Sequence, residues 1–301
     1  IVPGAPPPQP WPPAEAATPW PQEPGLHPVR LIVDGQVAEG LVAIPRAPAR
    51  VLVVVCHHLE SSAADYAELL LHLADHGAVA IAMDYRGPQD AFKVETGAQD
   101  TLAATMFAQQ NLPRLDRTIL YGYSLGGAVS GVAAARAPAG TYDYWISGSG
   151  VLDLSTLWAE HPPFQPRIEA ETGGTPADVP EAYARRSPLA QVPTISSQGF
   201  TRVYLAYGPA DIITPAEHHE RMYHDLRAAN VPVSLYLVAT SEQPCSGPDC
   251  PPVLPGGHEV GAVPWLLPVL MERVRGEPET AALAERVLVE SRTGQRIPLP
   301  A

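Results

Sequence analysis

Six consecutive apolar residues, Val51-Leu52-Val53-Val54-Val55-Cys56, constrain this chain more than any other feature. A strand with one wet face alternates apolar and polar side chains. An unbroken valine-rich run is what a strand covered on both faces of a mainly parallel sheet requires. Other strand and helix signals alternate around it. Val29 to Val33 and Val37 to Ile44 read as a hairpin about the Asp34-Gly35 turn. Ser61 or Ser62 is placed to cap a helix carrying Tyr66, Leu69, Leu70 and Leu73 on one face, ending near Gly77. Strands follow at Ala78 to Met83, Thr118 to Gly122, Tyr142 to Ile146, Val203 to Tyr207 and Val233 to Val238. Helices are expected over about Glu95 to Leu112, Leu125 to Arg136, Pro215 to Ala229, Val263 to Val274 and Glu277 to Glu290. Strands joined by helices of this length imply right-handed crossovers and a doubly wound α/β sheet.

Two stretches break the pattern. Eleven of the 36 prolines lie between Pro3 and Pro28, so residues 1–28 read as an extended arm that Trp11 and Trp20 could pin to the domain. Residues 151–199, rich in Pro, Gly and Thr, read as an inserted lid within a catalytic domain spanning 29–301. The net charge of −13 argues against nucleic acid as a partner. No apolar run approaches the roughly 18 to 20 residues needed to cross a bilayer, so no membrane span is expected. The chain opens on Ile1 with no basic-plus-apolar signal, which suggests a processed, secreted or periplasmic product. Cys245 and Cys250 flank Ser-Gly-Pro-Asp, a spacing suited to a small disulfide ring and not to a zinc site. That ring would stiffen the loop leading to His258. Cys56 reads as a buried small hydrophobe.

The chemistry concentrates where a buried strand gives way to a helix, at Gly122-Tyr123-Ser124-Leu125-Gly126-Gly127. There a serine can occupy a sharp corner with its hydroxyl exposed. A serine hydroxyl is a weak nucleophile and needs a base within reach, itself oriented by a third group. His258, in Gly256-Gly257-His258, is the candidate base. Asp211, just beyond the Val203 to Tyr207 strand, is the candidate acid, with Asp153 as an alternative. The order Ser124, Asp211, His258 is that of one serine-hydrolase architecture. His218, His219 and His224 share one helix and are expected to face solvent or cover its surface. The Leu125 N–H and that of Leu59 or His58, in the turn after the first buried strand, are the candidate oxyanion donors. His57 could stabilise that turn or take part in the chemistry. Trp145, Trp158, Phe164 and Tyr183 could line an acyl pocket or simply pack.

These features resemble the α/β-hydrolase superfamily, and specifically the catalytic domains of prolyl-oligopeptidase-type and dienelactone-hydrolase-type enzymes. The resemblance covers about Val29 to Arg275. It also rests on Asp84-Tyr85-Arg86-Gly87, on Gly173-Gly174-Thr175-Pro176 followed by Tyr183 and Ser187-Pro188, and on Gly257-His258. The Gly-Gly-Thr-Pro to Ser-Pro stretch belongs to the peptidase-like branch. Where many relatives carry His-Gly after the first long strand, this chain has His57-His58. The resemblance implies an α/β-hydrolase fold and a serine hydrolase; no metal or organic cofactor is expected, since no ligand cluster has suitable spacing. The expected substrate is a small-molecule carboxylic ester or related acyl compound. A prolyl-oligopeptidase-like peptidase or amidase acting on short peptides is the alternative, and a non-catalytic binding protein on the same fold is a third reading. The sequence gives no indication of oligomeric state.

Overall fold

A computed structural model describes residues 11, 14–112, 114–239, 257–258, 263–278, 286–290 and 296–299. In chain order the sheet comprises β1 (Glu15–Ala16), β2 (Gly25–Val33), β3 (Gln36–Ile44), β4 (Val51–Cys56), β5 (Ala78–Met83), β6 (Arg117–Tyr123), β7 (Tyr144–Gly148), β8 (Arg202–Tyr207), β9 (Val233–Ala239), β10 (Arg286–Glu290) and β11 (Arg296–Pro298). The strands lie in the order β1-β2-β3-β5-β4-β6-β7-β8-β9-β10-β11. Neighbours from β5 to β10 pair in parallel, and antiparallel strands flank them at both edges. The helices are α1 (Ala67–Asp75), α2 (Val94–Asn111), α3 (Leu125–Arg136), α4 (Leu154–Glu160), α5 (Gln165–Thr172), α6 (Pro180–Arg185), α7 (Val192–Ile195), α8 (Ala216–Ala228) and α9 (Val263–Arg275). No described helix is long and apolar enough to cross a membrane.

Two-sided burial explains the run at β4. Leu52, Val54 and Cys56 enter a core shared with α2, α3 and α8, while Val51, Val53 and Val55 enter a second core shared with α1 and α9. All six side chains are buried. The period-2 strand sends them alternately to the two faces, and helices cover both. Burial pushes the Cys56 thiol up to about 12, as suits an inert packing residue. α3 is built largely of glycine and alanine, and its first eleven residues are buried. Small side chains let its backbone lie close against the sheet.

The hairpin β2–β3 turns at Asp34-Gly35, both with positive φ, as its sequence predicts. Ser62 caps a short 3₁₀ turn leading into α1, its N–H donating to Asp65 Oδ2 at 2.8 Å. Trp11 and Trp20 both pack on the core. The Trp20 ring meets Phe107 edge-on at 5.4 Å, and the Arg136 guanidinium lies over Trp11 at 5.3 Å. The described end of the arm is therefore pinned.

One expectation needs correction. The segment ending at Glu290 was expected to be helical, but residues 286–290 form β10. Its Val287 and Val289 are buried, and it pairs in parallel with β9 from Arg286↔Leu235 to Glu290↔Ala239. The open edge of β9 and two buried valines outweigh local helix propensity. Residues 151–199, the expected insertion, pack on the fold. They carry α4 to α7, and Leu154, Leu157, Ile168, Ile195 and Tyr183 join the principal core.

Candidate active site

β6 ends at Tyr123 and α3 starts at Leu125, leaving Ser124 alone to make the turn, with φ 55° and ψ −120°. A non-glycine residue held in that conformation stores strain that its surroundings must offset. The offset comes from tight backbone packing. A Cβ at Gly122 would stand 2.1 Å from the Gly126 carbonyl oxygen, and one at Gly126 would stand 2.1 Å from the Cys56 carbonyl oxygen. Only hydrogen fits at either position. The corner is further held by Ser124 N–H to Gly148 O at 3.0 Å and Val151 N–H to Ser124 O at 3.0 Å.

The three candidate side chains meet. His258 Nε2 lies 2.8 Å from Ser124 Oγ, and His258 Nδ1 lies 2.9 Å and 3.1 Å from the two carboxylate oxygens of Asp211. The Asp211 side chain is wholly buried, whereas the His258 side chain keeps 17% of its surface. Burial alone would push the Asp211 carboxyl up. The His258 ring, the Thr214 backbone N–H and the Thr214 hydroxyl outweigh it and hold the carboxyl below its ordinary value. Ile213 N–H and Thr214 N–H donate to Asp211 Oδ1 at 2.8 and 2.9 Å, and the Thr214 hydroxyl donates to Oδ2 at 2.7 Å. The acid is thus ionised and fixed in orientation.

Asp153, the alternative acid, has another task. It is the N-cap of α4, accepting from Ser155 N–H at 3.0 Å and Thr156 N–H at 3.3 Å, with Arg221 also 3.3 Å away. The histidines of α8 were expected at the surface, but His218 and His219 are fully buried and only His224 is exposed. The reason is helical spacing: His219, Met222, Tyr223 and Leu226 share the face turned to the sheet. Burial drives the His219 ring down to about 3 and lowers that of His218.

The turn after β4 lies beside the serine corner, because β4 and β6 pair with Cys56 opposite Gly122. His57 is buried there and stacks on Tyr85 at 3.8 Å, and Tyr85 OH donates to the His57 carbonyl at 2.9 Å. His57 therefore stabilises the turn. The ring of His58 accompanies Tyr66 OH at 3.1 Å and lies 5.4 Å from the Tyr123 ring, which is itself 5.4 Å from His258. Burial lowers the His58 ring below its ordinary value, and the nearby His258 adds to the effect. Leu125 stands as the first residue of α3, where N–H groups have no partner within the helix. Leu59 is half-buried against the core.

Two of the four expected pocket aromatics are packing residues. Trp145 is fully buried in β7 and donates to Ser130 Oγ at 2.9 Å; Tyr183 is fully buried and donates to the Gly174 carbonyl at 3.0 Å. Trp158 and Phe164 are half-buried. Trp158 donates to Glu169 at 2.8 Å, and Phe164 meets Phe92 edge-on at 5.7 Å. The remaining motif residues also hold the fold. Arg86 forms a 2.5 Å ion pair with the buried Asp100, and Ser187 Oγ accepts from Leu154 N–H at 2.9 Å. An open cavity of about 440 Å³, whose lining includes Trp11, Arg86, Lys93, Glu171 and Arg186, includes none of the residues just brought together. Cys245 and Cys250 lie outside the described residues.

Residues 66–243 match the sequence pattern of the prolyl oligopeptidase family, more than half of the chain. The chain belongs to that family. Among similar proteins, an uncharacterized peptidase of Bacillus subtilis, YtmA, is 26% identical over 223 residues, covering 71% of this chain and 84% of the relative. A puromycin hydrolase structure superposes with a TM-score of 0.65 at 18% identity, over 86% of this chain and 40% of that one. An acylaminoacyl peptidase of Pyrococcus horikoshii gives 0.57 at 19%, over 71% and 37%. The chain thus spans well under half the length of those two solved structures, which share its α/β-hydrolase fold. Family membership makes this prolyl-oligopeptidase-family chain a serine hydrolase.

Proposed function

We propose that the chain is a serine peptidase or amidase that passes through an acyl-enzyme on Ser124. The observation carrying this reading is the unbroken line from Ser124 Oγ through the His258 ring to the Asp211 carboxylate. In this reading Ser124 Oγ attacks the acyl carbon while its proton moves to His258 Nε2. The Nδ1–H faces Asp211, which stabilises the imidazolium and fixes the tautomer. His258 then gives the proton to the departing amine, and a water repeats the sequence to free the acid. The developing oxyanion is assigned to the Leu125 N–H and an N–H of the His58-Leu59 turn. Family membership and the YtmA relative favour amide over ester substrates, and the ester-first expectation gives way to the peptidase alternative.

Comparing aminoacyl-arylamides and short peptides with short-chain aryl esters tests the assignment. Amide cleavage that disappears in Ser124→Ala is the expected result. Ester turnover with no amide cleavage would reverse the substrate class. A folded wild-type chain that a serine-directed phosphonate leaves unlabelled would overturn the serine mechanism.

A further inference from the structure

Ser124 and Asp211 come from different parts of the chain, and one short turn lies between them. That turn, residues 148–151, is bonded to both sides. Gly148 O accepts from Ser124 N–H at 3.0 Å, Ser149 N–H donates to Ala206 O at 2.8 Å, and Val151 N–H donates to Ser124 O at 3.0 Å. The Thr214 hydroxyl sits 3.0 Å from Ser149 O and 2.7 Å from Asp211 Oδ2. Ser149 has φ 42°, an uncommon conformation for a residue with a side chain, so neighbouring contacts must hold it. Gly150 presses on the nucleophile helix: a Cβ on Gly127 would lie 2.5 Å from Gly150 Cα.

Within this turn the N–H groups of Ser149 and Val151 donate to backbone carbonyls, whereas that of Gly150 donates to a side chain, His219 Nε2, at 3.0 Å. This settles the tautomer. A backbone N–H can only donate, so His219 Nε2 must present a lone pair and the ring proton sits on Nδ1. The buried Nδ1–H is left to the Pro215 carbonyl, one turn back along the chain, the backbone group that acts on this ring. The ring also stacks on Tyr207 of β8 at 5.4 Å.

We propose that His219 is a positioning residue for acylation, holding the Gly150 N–H through its Nε2 lone pair and so fixing the turn that spaces Ser124 from Asp211. The proposal rests on the Ser124 reading. Burial keeps the ring neutral: it dominates, and His218 on the same helix and His258 across the site also oppose protonation, while Asp211 and the Pro215 carbonyl favour it.

The test uses the full chain as wild type, His219→Gln and His219→Leu. Gln keeps an acceptor; Leu keeps bulk and removes it. Phosphonate labelling rate and arylamide kcat should fall about 10- to 100-fold in His219→Leu with KM changed less than about two-fold, as expected when attack geometry is lost. His219→Gln should stay within about three-fold of wild type because the Gly150 N–H keeps a partner. Equal labelling of His219→Leu and wild type, or equal losses in both variants, would overturn the proposal. Should His219→Leu not fold, nitrogen NMR of histidine-labelled wild type decides. An unprotonated Nε2 between pH 8 and 5 supports the assignment, and a protonated Nε2 refutes it. A wild type that takes no phosphonate would sink the Ser124 reading and with it the role in acylation, while the NMR result would still judge the His219 to Gly150 bond by itself.

Discussion

The two halves of the site are held in different ways. Ser124 is fixed by what is absent: hydrogen atoms in place of side chains at Gly122 and Gly126 let strand, turn and helix backbones touch. Asp211 is fixed by what is present, namely three donors from Ile213 and Thr214 within three residues. Ser124 thus depends on close packing, which tolerates almost no added volume, and Asp211 on directed hydrogen bonds, which tolerate some repacking. Faults in the first half should cost the fold; faults in the second should cost the rate.

Asp211→Asn is expected to have the largest kinetic effect, a drop of about 10⁴-fold in kcat with the fold intact, because the imidazole loses its orienting anion. Stopped assays alongside far-UV circular dichroism check it. A comparable loss of structure would erase the contrast between the halves. Gly126→Ala is the matching change on the serine side. Its methyl group would meet the Cys56 carbonyl, and overpacking should lower unfolding stability by about 1–3 kcal/mol or more in urea titrations, with phosphonate labelling lost as well. A stable, fully labelled variant would show that the corner can yield.

A smaller effect concerns acid. The His219 ring is lowered to about 3 when folded, against an ordinary value of 6.5, so below that ordinary value the unfolded chain takes up a proton that the folded chain refuses. Its contribution is fully present above about pH 6.5 and is lost as pH falls toward about 3. His219→Gln should therefore flatten the slope of unfolding free energy between pH 6 and 4, read by urea titration at each pH, and an unchanged slope would assign it elsewhere. Smallest of all, Tyr183→Phe removes the bond to the Gly174 carbonyl and should cost about 1 kcal/mol in stability while leaving kcat and KM unchanged. A shifted KM would return Tyr183 to the substrate pocket.

Much of this was legible in the sequence because the fold announces itself through burial on two faces. The β4 run and the glycine corner after β6 have few alternative explanations, and Asp211 and His258 follow from the order of strands. Tertiary context decided the rest. Val287 to Val289 follow the helix-favouring Ala-Ala-Leu-Ala-Glu, and only the open edge of β9 recruits them as a strand. Trp145 and Tyr183 stay open between pocket and packing in the sequence, because an aromatic residue near a cleft looks the same whether it lines the opening or supports its wall. Asp153 carried the mark of a helix cap, standing just before α4, but its place after a strand made it resemble an acid. His219 was missed although its signal was present. It sits on the same 3.6-residue stripe as Met222, Tyr223 and Leu226, and histidine was counted as polar there. Thr214, three residues beyond Asp211, was within reach as a turn partner.

The contact between Gly126 and the Cys56 carbonyl also bears on how such a chain can diverge. Where a single methyl group is too much, inheritance has almost no freedom at that contact. Change must accumulate where a side chain has room to grow.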